Sequence, residues 1–166
     1  MENNPAPSQF SIRAASQDDA AVILSLIKEL AEYERLSHEV VATEEDLRES
    51  LFGEHTYAEV LIGELEDEPV GFALFFHNYS TFLGKPGIYI EDIYVKPAHR
   101  GNGLGLKYFE HIARLAKKRN CGRIEWWVLN WNEPAINFYK KMDAVPMDEW
   151  TVYRLTGQSI DALADN

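Results

Sequence analysis

Twenty residues, Tyr89 to Tyr108 (YIEDIYVKPAHRGNGLGLKY), constrain this chain more than any other stretch. The β-branched run Ile88, Ile90, Ile93 and Val95 predicts a buried strand, closed by the turn signal Lys96-Pro97. Arg100-Gly101-Asn102-Gly103-Leu104-Gly105 follows, and Leu104, Tyr108, Ile112 and Leu115 then recur at helical spacing. Strand, glycine-rich turn, helix is an order that turns successive backbone N–H groups and a helix N-terminus toward an anion. Glycine lets that backbone come close because no Cβ intervenes. No Lys-Ser/Thr follows the glycines, so the loop is not a Walker A motif. The three-glycine spacing of a dinucleotide fingerprint is also missing, and Asp92 precedes the loop where that motif has an acid after it. What remains is R-x-x-G-x-G, with Arg100, Gly103 and Gly105 at its fixed places; a plain turn before a surface helix is the bland alternative.

The rest of the chain reads as one α/β domain with a mixed sheet over residues 10–166, after a polar, proline-containing tail (1–9) expected to be disordered. Phe10 to Ala14 is a first strand. Ser16/Asp19 and Thr43/Asp46 are capping boxes, predicting helices to about Leu36 and to Gly53. Ala58 to Leu65 and Val70 to His77 form a hairpin across Glu66-Asp67-Glu68-Pro69, and Thr81 to Gly87 is a loop. Arg123 to Leu129 is a further strand. Asn132 or Glu133 caps a helix with Pro134 in its first turn, and Ala135, Phe138, Tyr139 and Met142 share one of its faces. Trp150 to Leu155 is expected as a last strand, followed by a short acidic helix.

With a formal net charge of −11, the chain is a poor match for nucleic acid or an anionic membrane surface and suits a cationic substrate. The single cysteine, Cys121, excludes an intramolecular disulfide and fits a reducing cytoplasm; it reads as a small buried hydrophobe. No spanning or leader-like apolar run is present, and the five histidines show no ligand spacing, so no metal is implied.

Asn132 to Tyr139 (NEPAINFY) resembles the last block, N-x-x-A-I-x-F-Y, of the GNAT N-acetyltransferases, whose pyrophosphate loop the R-x-x-G-x-G segment also resembles. KELAEYE (28–34), FGEH (52–55), IYIEDIYV (88–95) and WNEPAINFYKK (131–141) are similar to the spermidine/spermine branch of that family, which includes diamine and thialysine acetyltransferases. Asp143 departs from the pattern, since the family ends this helix with glycine. The resemblance implies a mostly antiparallel central sheet flanked by helices, with a splayed parallel strand pair holding acetyl-CoA, and a homodimer.

It also implies roles. The backbone of Ile93, Tyr94 and Val95 would meet the pantetheine, Arg100, Gly101, Asn102, Gly103, Leu104, Gly105 and Leu106 would wrap the pyrophosphate, and Asn132, Pro134 and Ala135 would hold the cofactor arm. Tyr139 would be the general acid for the departing thiolate, although its position on an apolar helix face also suits a core residue. Glu91 would bind the acceptor amine or take its proton. Strict alternation puts Glu91 and Asp92 on opposite faces, and a β-bulge, which the family has here, would re-aim one of them. Tyr33, Glu34, Asp92, Glu125, Trp126 and Trp127 complete the expected acceptor site. The reaction implied is direct attack of a neutral amine of a small polyamine or diamine on the thioester. Thialysine, another amino acid, a protein amine, or a non-catalytic acyl-CoA-binding role are the alternatives.

Overall fold

The computed structural model describes residues 9–165, so all but the last residue of the expected disordered tail lies outside the described residues. Two compact units divide after Trp127. The first holds a five-stranded sheet in the order β1-β2-β3-β4-β5: β1 (Phe10–Ala14), β2 (Glu59–Leu65), β3 (Glu68–Ser80), β4 (Lys85–Val95) and β5 (Ile124–Trp126). Neighbours from β1 to β4 are antiparallel, and β4 and β5 are parallel.

One face of the sheet carries α1 (Ala20–Tyr33) and α2 (Glu44–Phe52), the other α3 (Leu104–Lys118). Ile23, Leu26, Leu30, Leu47 and Leu51 bury their helical stripes against Val60, Ile62, Phe72 and Tyr94. Both capping boxes form: Asp19 accepts from the Ser16 backbone at 2.7 Å and Asp46 from Thr43 at 2.8 Å. Asp19 also takes both ends of the Arg13 guanidinium, at 2.8 and 2.9 Å, which ties β1 to the start of α1 and holds the carboxyl down at about 2. On the α3 side the paired glycines Gly63 and Gly71 make a slot filled by the fully buried Tyr108, whose ring meets Phe10 edge-on at 6.1 Å.

Several boundaries differ from the expectation, each for a local reason. α1 stops at Tyr33, because Arg35 turns left-handed (φ 62) and the N–H groups of Arg35 and Leu36 bond back to Glu32 and Ala31. Asn120 (φ 55) ends α3 by the same Schellman geometry. The β2–β3 turn is only Glu66-Asp67, both at positive φ, and Glu68 and Pro69 join β3. The expected loop over 81–87 shrinks to 81–84, since β3 runs to Ser80, Gly84 supplies a left-handed turn (φ 63), and Lys85, Pro86 and Gly87 pair in β4.

The second unit contains α4 (Glu133–Lys141) and α5 (Gln158–Ala164). The expected strand over 150–155 does not form. Its alternating apolar residues have no ladder to join there, and Trp150 and Tyr153 are exposed. The expected strand 123–129 is likewise shortened to the three residues of β5. No helix among the described residues is long and apolar enough to cross a membrane.

Candidate active site

β4 ends at Val95, a single 3₁₀ turn spans Pro97–His99, and the glycine loop delivers the chain to α3. Gly101 (φ 82) and Gly103 (φ 75) both take the left-handed conformation, and a side chain at either would start in open space. What the loop needs from glycine is therefore backbone freedom and unobstructed approach, not packing room. Gly103 is the N-cap of α3 and has no side chain to cap with; the first helical bond is from the Lys107 N–H to the Gly103 carbonyl, 3.2 Å. The N–H groups of Leu104, Gly105 and Leu106 are thus without intrahelical acceptors. Open space, uncapped donors and the positive end of a helix dipole fit a diphosphate.

The parallel ladder ends where Ile90 meets Trp126, and β4 continues to Val95 beyond it. The break coincides with a bulge. Leu74 pairs with Asp92 and Phe75 with Ile90, so Glu91 is the extra residue, and the bulge that the family resemblance implied in this strand is present. The backbone of Ile93, Tyr94 and Val95 lies in the segment past the splay. The Val95 carbonyl there accepts the Arg100 Nε–H at 2.8 Å.

Because of the bulge, Asp92 and Tyr94 both face α1 while Glu91 is exposed. The Asp92 carboxyl is pushed up to about 7, mostly by burial and further by the charges of Glu91 and Glu34. Glu34, the C-cap of α1, is also raised, by burial. Three carboxyls from two elements thus share one field. Tyr94 is buried and donates to Glu29 at 3.3 Å, and Lys96 lies 3.9 Å from the same carboxylate. The Arg100 guanidinium stands over the Tyr33 ring at 4.4 Å and over the Tyr94 ring at 5.4 Å.

Other expected residues fall elsewhere. Glu125 pairs with Tyr89 in the ladder, accepts from Asn78 at 2.7 Å and lies 2.9 Å from Arg123, so its carboxylate is already engaged. Trp126 packs edge-on against Phe109 of α3 at 4.9 Å, on the face opposite Asp92. Trp127 is exposed and stands edge-on to Tyr89 at 5.8 Å; Tyr89 in turn meets Phe76 at 5.1 Å. Phe76, Tyr89 and Glu29 carry no signal in the local sequence pattern, since only strand register and helix docking place them on the Asp92 face. Cys121 is half-buried, not buried, and its sulfur lies 4.0 Å from His77 Nδ1, a neighbour 44 residues away in the chain.

In the second unit Asn132 is buried and caps α4, its side-chain oxygen accepting from the Ala135 N–H at 3.4 Å, with Pro134 in the first turn. Tyr139 is half-buried, its ring 5.7 Å from that of Phe138. Asp143 adopts the left-handed conformation (φ 60) that glycine would take after this helix, and the Asp143 and Ala144 N–H groups close on Lys140 and Tyr139.

Residues 24–144 match the Acetyltransferase (GNAT) family model. The thialysine N-epsilon-acetyltransferase of Bos taurus is 40% identical over 164 residues, 92% of this chain and 96% of that protein. The human spermidine/spermine N(1)-acetyltransferase-like protein 1 is 31% identical over 91% of this chain and 23% of its own length. An integron cassette protein from the mobile metagenome of V. cholerae superposes with a TM-score of 0.80 at 27% identity, over 95% of this chain and 98% of that one. Together with the splayed strand pair and the uncapped glycine loop, these likenesses show that the chain belongs to the GNAT family and is an N-acetyltransferase using acetyl-CoA as its acetyl donor.

Proposed function

We propose that the enzyme acetylates a terminal amine of a small polyamine or diamine within a ternary complex. The observation that carries this reading is the gathering of Glu34, Glu91 and Asp92 around the end of the β4–β5 ladder. Bound acetyl-CoA supplies a thioester carbonyl open to attack by a neutral amine. The chain's own residues hold and discharge protons around that event. Glu91, on the bulge, takes the proton of the acceptor ammonium directly or through water. Asp92, poised near neutrality, shares that load, and Glu34 holds a distal charge. This division meets a physical conflict, because a carboxylate that binds an ammonium also raises its pKa; distal amines bind as cations and only the reacting one is uncovered.

The loop from Arg100 to Leu106 offers its backbone to the diphosphate. Ile93, Tyr94 and Val95 serve the pantetheine with their main chain, Asn132, Pro134 and Ala135 steady the cofactor arm, and Tyr139 donates its phenolic proton to the departing sulfur. Trp127 lines the acceptor side, while Glu125 and Trp126 support it from the ladder. The working form is a homodimer, a reading carried by the family resemblance alone and checked by light scattering, and the single cysteine suits a reducing cytoplasm.

A second reading, a diamino-acid acceptor, is favoured by the 40% identity to a protein named for thialysine. Turnover of spermidine, putrescine, lysine and a monoamine of matched length decides between them. Intersecting initial-velocity lines support direct transfer, and parallel lines sink it in favour of a covalent intermediate.

A further inference from the structure

Past Ile90, β4 is paired on one edge only among the described residues. Its ladder with β5 ends at Ile90 and Trp126, while β3 follows it from Asp92 to Val95. The open edge is the one whose main chain would meet the pantetheine, so the sheet restrains that stretch from one side alone. A side chain of α1 supplies a second restraint. Tyr94 is buried, and its hydroxyl donates to Glu29 Oε2 at 3.3 Å. The other oxygen of the same carboxylate, Oε1, lies 3.9 Å from Lys96 Nζ. Glu29 therefore reaches the residues on both sides of Val95, whose carbonyl accepts the Arg100 Nε–H at 2.8 Å.

The two contacts of Glu29 are unequal. The Glu29 and Lys96 side chains are 35% and 37% exposed, and an ion pair so open to solvent contributes little. A buried phenol that loses its acceptor, by contrast, keeps an unmet polar group. Burial, and after it the Glu29 charge, raise the phenol above the ordinary tyrosine range, so Tyr94 stays the donor. Glu29 also differs from Glu34, Glu91 and Asp92 on this face, because its oxygens are already turned to protein donors.

We infer that Glu29 is a positioning residue for the cofactor: through the Tyr94 hydroxyl it holds the open end of β4 where the main chain of residues 93–95 meets the pantetheine. The inference rests on the reading that this stretch carries the pantetheine. Glu29 touches no reacting atom, and it acts from the helix that ends in the acceptor acid Glu34, so one helix serves both substrates.

The test uses Glu29→Leu, Glu29→Gln and Tyr94→Phe, with melting temperatures measured alongside. Titration calorimetry compares CoA with 3′-phospho-ADP, which keeps the diphosphate and lacks the pantetheine. Wild type should bind CoA more tightly than 3′-phospho-ADP. Glu29→Leu and Tyr94→Phe should each weaken CoA binding and raise the KM for acetyl-CoA about five-fold, with 3′-phospho-ADP affinity nearly unchanged. The double variant should be no weaker than either single one, since both remove the same bond. Glu29→Gln keeps an oxygen for the phenol and should recover most of the CoA affinity. In Glu29→Leu, kcat at saturating acetyl-CoA and the KM for the acceptor should stay within about two-fold of wild type. If Glu29→Leu fails to fold, Tyr94→Phe, which removes one oxygen, decides the same comparison.

Equal losses for CoA and 3′-phospho-ADP would move the effect to the glycine loop and overturn the inference. A raised acceptor KM with unchanged CoA affinity in both Glu29 variants would make Glu29 an amine ligand, and a lowered melting temperature alone would make it a packing residue; either overturns it. A wild type that binds the two ligands equally removes the pantetheine reading and this inference with it. A wild-type preference that the variants leave intact removes the inference alone.

Discussion

The hydroxyl of Tyr108 occupies the space in which a side chain on Gly63 would begin. Helix α3 therefore approaches the sheet as closely as it does because two paired glycines leave a slot for one phenol. Gly63→Ala should destabilise the protein by about 1–3 kcal/mol through overpacking against Tyr108 and the Phe10 ring. Adding Tyr108→Phe should recover part of that loss, so a denaturant double-mutant cycle should show a coupling of at least ~0.5 kcal/mol. Additive effects would mean that the slot is not where the strain falls.

Gly103→Val asks a β-branched residue to sit at φ 75 and places methyl groups where the diphosphate is expected. Acetyl-CoA affinity measured by calorimetry should fall at least ~10-fold, and stability by about 1–2 kcal/mol from left-handed strain. Unchanged affinity would show that the loop does not carry the cofactor.

Tyr139→Phe keeps the ring beside Phe138 and removes one oxygen. If the phenol protonates the leaving thiolate, kcat should drop about 10²-fold while the melting temperature and acetyl-CoA binding stay close to wild type. Near-normal turnover, with chemistry shown to be rate-limiting, would leave Tyr139 a packing residue.

Asp92 makes a prediction about pH. Its carboxyl titrates near 7 in the fold and near 3.8 when unfolded, so the native state holds a proton that the unfolded state releases. Whatever stability this group contributes is complete below about pH 4, declines as pH rises, and is gone above about 7. Asp92→Asn should accordingly be neutral at pH 4 and stabilise the protein at pH 8, by on the order of 1–3 kcal/mol after allowing for partial solvation. Thermal melts of both proteins across that range test it, and a pH-independent difference would mean that Asp92 is not perturbed.

Glu34 and Glu125 should separate under substitution. Glu34→Gln should raise KM several-fold for a polycation at low salt, an effect that shrinks at high salt because screening weakens exposed pairs. Glu125→Gln disturbs the Asn78 and Arg123 partners and should move the melting temperature more than KM. The reverse pattern in the kinetics would place Glu125 in the acceptor site.

Local chemistry made much of this fold legible in the sequence. The capping boxes at Ser16 and Thr43, the strand 88–95, the glycine turn and the Asn132 cap each state their structure within four or five residues, and each is present. What failed needed a partner from far along the chain. Trp150 to Leu155 alternates like a strand, yet alternation supplies only the pattern of faces, and a ladder must supply the hydrogen bonds. Lys85 to Gly87 looks like a loop by residue type and becomes a strand because Ser80, Tyr79 and Asn78 are there to pair with it. In the site, spacing and family resemblance singled out Glu34, Glu91 and Asp92. Arg100 lying on Tyr33 depends on α1 docking across β4, which no local pattern encodes.

The extra residue in β4 has a consequence for how this gene can change length. Before the bulge Ile88 and Ile90 point toward α3, and after it Asp92 and Tyr94 point toward α1. Deleting Glu91 would restore simple alternation with both halves on the faces they hold now, at the cost of the bulge and its carboxylate; pairing Glu91 into a regular ladder is what would force one half of the strand to turn over. Either two buried isoleucines would exchange places with Tyr89 and Gly87, or the acid and the tyrosine would rotate into the packing beneath α3. The strand thus keeps two side-chain frames joined by one unpaired residue, and a shortened strand would keep the isoleucine core and the Asp92 face while losing the exposed carboxylate that the bulge presents.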